Sequence, residues 1–183
     1  MSTPSTKSVQ SLLSNRWARL LLPSLSDLFF LAMMGWLFMS GPQGWSQLLG
    51  DADVGWHIRT GEYVLDHHAV PQTDLYSFSK AGAPWYAWEW GSDVVDALLH
   101  RGAGLKGVVL LSGVIIALFA LTLVRRMVAK GTHLFVALAL ALFGIGSSSV
   151  HFLARPHVFT MLLLSISVWM IESDREKQSA KIW

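Results

Sequence analysis

Gly107-Val108-Val109-Leu110-Leu111-Ser112-Gly113-Val114-Ile115-Ile116-Ala117-Leu118-Phe119-Ala120-Leu121-Thr122-Leu123-Val124 contains no ionisable side chain. A helix through this run comes close to the length needed for a hydrocarbon layer of roughly 30 Å, which takes about 20 residues. Working outward, three more apolar runs appear. Pro23 to Ser40 precedes it, with Asp27 near one end. Leu134 to Phe152 follows, interrupted by Gly144, Gly146 and the serines Ser147, Ser148 and Ser149. Val158 to Ile171 comes last, and Arg155-Pro156 starts it because proline suits the first turn of a helix. The 183-residue chain is 52% hydrophobic and 14% charged, with mean hydropathy +0.44. Soluble domains carry nearer ~25% charged residues. The sequence therefore predicts an all-α, polytopic membrane protein with about four transmembrane helices, not a soluble domain with one anchor.

Lysine and arginine set the expected orientation. Lys7, Arg16 and Arg19 precede the first run, Arg125, Arg126 and Lys130 separate the second from the third, and Arg175, Lys177 and Lys181 follow the fourth. With four spans all three groups fall on one side, which the positive-inside rule makes cytoplasmic. The expected organisation is a cytoplasmic segment 1–22, a first span 23–40 and an outer loop 41–106. Spans two to four then cover 107–172, and a cytoplasmic tail or truncation point covers 173–183. Gly41-Pro42-Gln43 offers no small-residue cleavage site, so the first span reads as retained and not as a signal peptide. The basic excess behind a pI of 9.1 sits at span ends, which argues against a nucleic-acid partner. Cysteine is absent, so thiols say nothing about redox compartment.

Segment 41–106 is too long for a plain connector. Val54, Ile58, Gly61 and Leu65 recur at helical spacing and predict a helix over Val54–His67, with Asp53 able to cap it. Ala69 to Ala83 reads as irregular or briefly extended. A second helix is expected over Trp85–His100, ending before Gly102 and Gly104. Its apolar stripe is Trp88, Val95, Leu98 and Leu99, with Asp93 and Asp96 off that stripe. Both helices are expected to lie in the membrane interface, where indoles favour the headgroup level.

Asp51-Ala52-Asp53-Val54-Gly55-Trp56-His57 places two carboxylates and an imidazole just beyond the first span, where charge is costly to desolvate and often functional. Together with Ile58-Arg59-Thr60-Gly61-Glu62, it resembles the D-x-D-x-x-W-H-x-x-T-G opening of a group of bacterial GT-C-like membrane proteins. Pro71-Gln72-Thr73-Asp74, Ser77-Phe78-Ser79 and Gly82-Ala83-Pro84-Trp85 continue the resemblance. Trp88-Glu89-Trp90 stands where that group tends to have His-Glu-Trp, which removes a potential ligand or base at Trp88. Ala154-Arg155-Pro156-His157 resembles its Arg-Pro pair before a later span. The likeness covers Asp51 to about Glu172. Members of the GT-C class generally have more spans, so the chain looks like the N-terminal part of a longer protein or a truncated product, too short to be active alone.

The resemblance implies transfer of a sugar from a polyprenyl-phosphate donor on the outer face of a bacterial inner membrane. It implies Asp53 as first candidate for the acid that deprotonates or orients the acceptor, Asp51 as second, and Glu89 as a third carboxylate. Arg155 would pair with a lipid phosphate, and His57, Trp85 and Trp88 would contribute to substrate binding. Cofactors are not fixed by the sequence. A divalent cation is used by some members, with Asp53 and His57, one helical turn apart, as its candidate ligands. Each residue also has a plainer reading: Asp53 as a helix cap, Asp51 as a solvated loop charge, His57 as an interface histidine, the tryptophans as an interfacial belt. The alternative to an enzyme is a non-catalytic membrane subunit that packs through the same scaffold among other membrane subunits. Membrane lipid is a partner in either case.

Overall fold

The computed structural model describes residues 24–41 and 43–177, and the side chains only as far as residue 175. The expected cytoplasmic segment 1–22, Pro42 and the end of the tail, including Lys181, lie outside the described residues. Among those residues the architecture is all-helical, with one isolated antiparallel bridge between Thr73 and Pro84.

The first helix, α1, runs over Leu25–Met39. Ser24 and Asp27 form a reciprocal capping box, so Asp27 has a structural task at the helix start. A 3-10 helix, Gly44–Leu49, leads to α2, Asp53–His67. The expected helix from Val54 to His67 is therefore present, but Asp53 does not cap it. Asp53 is its first residue, and its own N–H donates to Asp51 Oδ1 at 3.0 Å.

The expected helix from Trp85 to His100 starts later than expected and runs a few residues further, to the break at Gly104. It begins at Trp90 and continues to Ala129 as one element, α3, kinked at Gly104. The late start has a local cause. Trp85 N–H donates to Gln72 carbonyl, and Asp74 N–H to Ala83 carbonyl, so 72–85 folds back on itself. Asp74 closes that turn by accepting from Tyr76 and Ser77 N–H. At Gly104 the backbone takes φ 64°, ψ −161°, a region open essentially to glycine alone, so helical geometry breaks there and two helical stretches, 90–103 and 105–129, meet at a kink.

Helix α4 covers Leu134–Ser148, a 3-10 turn Ser149–His151 follows, and α5 covers His157–Lys177. The core is built around α3. Ile116, Ala117 and Ala120 of α3 meet Met33 and Leu37 of α1, Ala141 and Ile145 of α4, and Val158 of α5. Two helical stretches, Trp90–Ala129 and Leu134–His151, are long and apolar enough to cross a membrane, and Leu25–Met39 is a shorter apolar helix.

The packing of α2 on α3 is unusually close. A Cβ added at Gly61 would lie 1.9 Å from the Asp93 carbonyl oxygen and 2.8 Å from Ala97 Cβ. Only glycine lets the two backbones meet at that point. This contact fixes the position of His57, one turn earlier on α2.

Candidate functional site

The end of the bundle where α2 and α5 begin gathers most of the buried polar chemistry. Arg155, just before α5, donates Nη1 to Asp51 Oδ2 at 2.8 Å and Nη2 to Asp53 Oδ2. Residues about a hundred positions apart are thereby latched together, and Ala154 N–H donates to the Leu48 carbonyl beside them at 2.7 Å. All three charged side chains remain partly solvated.

Beside the latch lies a cavity of about 340 Å³ lined by His57, Glu89, Arg155, Pro156, His157 and Thr160. His57 is buried, and its Nδ1 lies 2.8 Å from Asp93 Oδ1. The Trp56 ring packs against the imidazole with centroids 3.7 Å apart. Glu89, the residue before α3, is exposed at the cavity edge.

Asp93 and Asp96 are the residues that sequence reasoning missed as site members. They are 0% and 2% exposed, whereas Leu98 of the apolar stripe is 54% exposed. The first turns of α3 thus put their acids inward and Leu98 outward, while Leu99 of the same stripe packs against Val54 and Ile58. A signal existed in the i, i+3 spacing of the two acids, which sets them on one face with Ala97 and His100. Asp93 Oδ2 and Asp96 Oδ1 have no hydrogen-bond partner, an arrangement that costs free energy in a buried site. Both carboxyls lie before the kink, outside the 107–124 span. Burial pushes the Asp96 carboxyl up to about 7, with the Asp93 charge adding to the effect and His57 opposing it. Burial raises Asp93 as well, opposed by the hydrogen bond from His57. Two adjacent buried carboxylates repel. Asp96 lacks the His57 contact, so of the two carboxyls it is the one that keeps a proton more readily.

Several expected groupings are not formed. Asp53 faces Arg155 and His57 faces Asp93, so the Asp53–His57 pair does not assemble as a shared proton or metal site. Among the described residues no three His, Asp or Glu side chains are arranged to hold a metal ion. Arg155 engages two carboxylates of its own chain instead of standing unpaired at the rim. Trp85 packs edge-on against Trp56 and Tyr76, at 5.8 Å and 6.1 Å, in support of the 72–85 turn. Trp88 is exposed, and neither Trp85 nor Trp88 lines the cavity. His57, Glu89 and Arg155 do line one cavity, and Asp51 and Asp53, which do not line it, hold Arg155.

Comparison with protein-family models, with curated proteins and with solved structures gives no match.

Proposed function

We propose that the chain is the N-terminal part of a GT-C-type, polyprenyl-phosphate-sugar-dependent membrane glycosyltransferase. All four apolar helices cross the bilayer, both ends of the chain are cytoplasmic, and segment 41–106 lies outside. The cavity beside Arg155 receives the sugar-phosphate end of the donor. The observation that carries this reading is convergence: Asp51–His57, Glu89 and Arg155–His157, far apart in sequence, meet around one cavity. A guanidinium beside the His157 imidazole suits a phosphate, and a carboxylate suits a sugar hydroxyl.

The membrane placement is supported by the outward faces of α1, α4 and α5. Leu25, Leu31 and Met39, then Phe135 and Phe143, then Leu163 and Leu164 are all exposed. So much apolar surface on a soluble monomer would be a liability. At ~1.5 Å per residue, the 15-residue α1 is short for the hydrocarbon layer, a mismatch that local thinning of the bilayer accommodates.

Orientation is checked with cysteine at the exposed position Ser79. An impermeant maleimide should label Ser79→Cys in intact cells, and labelling only after the membrane is opened would invert the topology. The functional reading is checked by donor binding to the chain reconstituted in phosphatidylcholine vesicles, using a polyprenyl-phosphate hexose with labelled sugar. Wild type should bind, and Arg155→Gln should bind ~10-fold or more weakly, the scale of a lost charge-assisted hydrogen bond. Asp51→Asn with Asp53→Asn, which frees Arg155 from its latch, should bind at least as well as wild type. No binding above empty vesicles would favour the non-catalytic subunit instead.

A further inference from the structure

We infer that His57 is the proton acceptor of the cavity, with Nε2 as the accepting atom and Asp93 as the carboxylate that orients the ring. This assignment rests on the transferase reading for its substrate, a sugar-accepting hydroxyl, but its geometry stands independently. His57 is 3% exposed and its Nδ1 is committed to Asp93. The other nitrogen, Nε2, has no hydrogen-bond partner among the described residues, and the ring lines the cavity. A buried imidazole whose Nδ1–H donates to a carboxylate keeps its lone pair on Nε2 and gains a stabilised cation when that atom takes a proton.

The competing bases are less suited. Asp53 is tied to Arg155 and does not line the cavity. Glu89 is exposed, so water competes for its oxygens. Asp93 and Asp96 are buried behind His57, and neither lines the cavity.

The step balances as follows. The acceptor O–H proton passes to His57 Nε2 while the oxygen lone pair forms a bond to the anomeric carbon. The bond from that carbon to the donor phosphate oxygen breaks, and its electron pair leaves with polyprenyl phosphate. The imidazolium, held by Asp93, returns its proton to water in the cavity. The groups around His57 that titrate or carry charge are Asp93, Asp96 and Glu89 from α3 and its cap, Arg155 and His157 at the start of α5, and Tyr76 from the 72–85 turn, within electrostatic reach of Asp93.

The test uses the full chain in lipid nanodiscs. Nitrogen-15 NMR of labelled imidazoles should show neutral His57 with the proton on Nδ1, and the Nε2–H tautomer would overturn the assignment. Diethyl pyrocarbonate, mapped by mass spectrometry, should modify His57. Asp93→Asn should slow that modification by ~10-fold or more and shift its pH profile, with partial rescue by Asp93→Glu. Absence of a His57 adduct, or equal rates in wild type and Asp93→Asn, would refute the dyad. If Asp93→Asn does not fold, the wild-type tautomer alone decides. Where the chain transfers sugar to an added acceptor, His57→Gln should lower the rate by ~10²-fold, and an unchanged rate would refute the role. If wild type does not bind donor but Nε2 is reactive, the transferase reading fails while the proton acceptor stands for another hydroxyl substrate.

Discussion

The two ends of the helical bundle handle charge in opposite ways. At the far end Arg126 of α3 reaches Glu172 of α5 through both Nε, at 3.0 Å, and Nη2, and Lys130 Nζ lies 3.8 Å from the same carboxylate. These side chains are partly exposed, and both Glu172 oxygens are engaged. At the cavity end Asp93 and Asp96 are fully buried and each keeps one oxygen without a partner. One end is a satisfied staple between helices. The other carries unsatisfied polar atoms buried behind His57, an arrangement that costs free energy on folding.

The largest expected effect tests the burial of Asp96. Its folded carboxyl is raised from 3.8 to about 7, so folding favours the protonated form. Its contribution to stability is fully present below about pH 4 and is lost as pH rises to about 7. The span corresponds to at most ~4 kcal/mol. Reversible unfolding in mixed micelles should show wild type losing stability across that window relative to Asp96→Asn. Parallel pH curves for the two proteins would place Asp96 in solvent and erase the contrast between the ends.

Gly61→Ala comes next. Its Cβ would strike backbone at Asp93, which cannot rotate away, so a loss of about 3 kcal/mol is expected, at the upper end for overpacking. The same variant should separate His57 from Asp93 and change the His57 imidazole signals. Unaltered stability and signals would mean that α2 and α3 do not meet so closely.

The smallest effects compare the ion pairs directly. Arg155→Met leaves two carboxylates beside each other and should cost ~1–2 kcal/mol, discounted because all three groups are partly solvated. Arg126→Met removes a pair of similar exposure but leaves a single carboxylate that still has Lys130 beside it, and should cost ~1 kcal/mol or less. Equal losses in the same unfolding assay would show that the latch and the staple are alike.

Much of this architecture was legible without coordinates. Apolar runs located α1, α4, α5 and the second half of α3, because a helix in an apolar setting needs only length and composition. The 3.6-residue spacing of Val54, Ile58 and Gly61 located α2. The resemblance singled out His57, Glu89 and Arg155, which line one cavity. The partners were not legible. Asp53 was paired with His57 because they are neighbours along one helix, yet Arg155, from the start of another, holds Asp53 instead.

The sequence by itself determined which stretches are helical and apolar, since those properties depend on residues a few positions apart. The tertiary structure alone decided which face of each helix turns inward. The stripe of Val95 and Leu98 on α3 reads equally as a core face or an outward one. It turns out to be the outward one, because Gly61 admits α2 against the opposite face and brings Asp93 to His57. That choice depends on a close approach of two backbones 32 residues apart in sequence, and no local pattern encodes it.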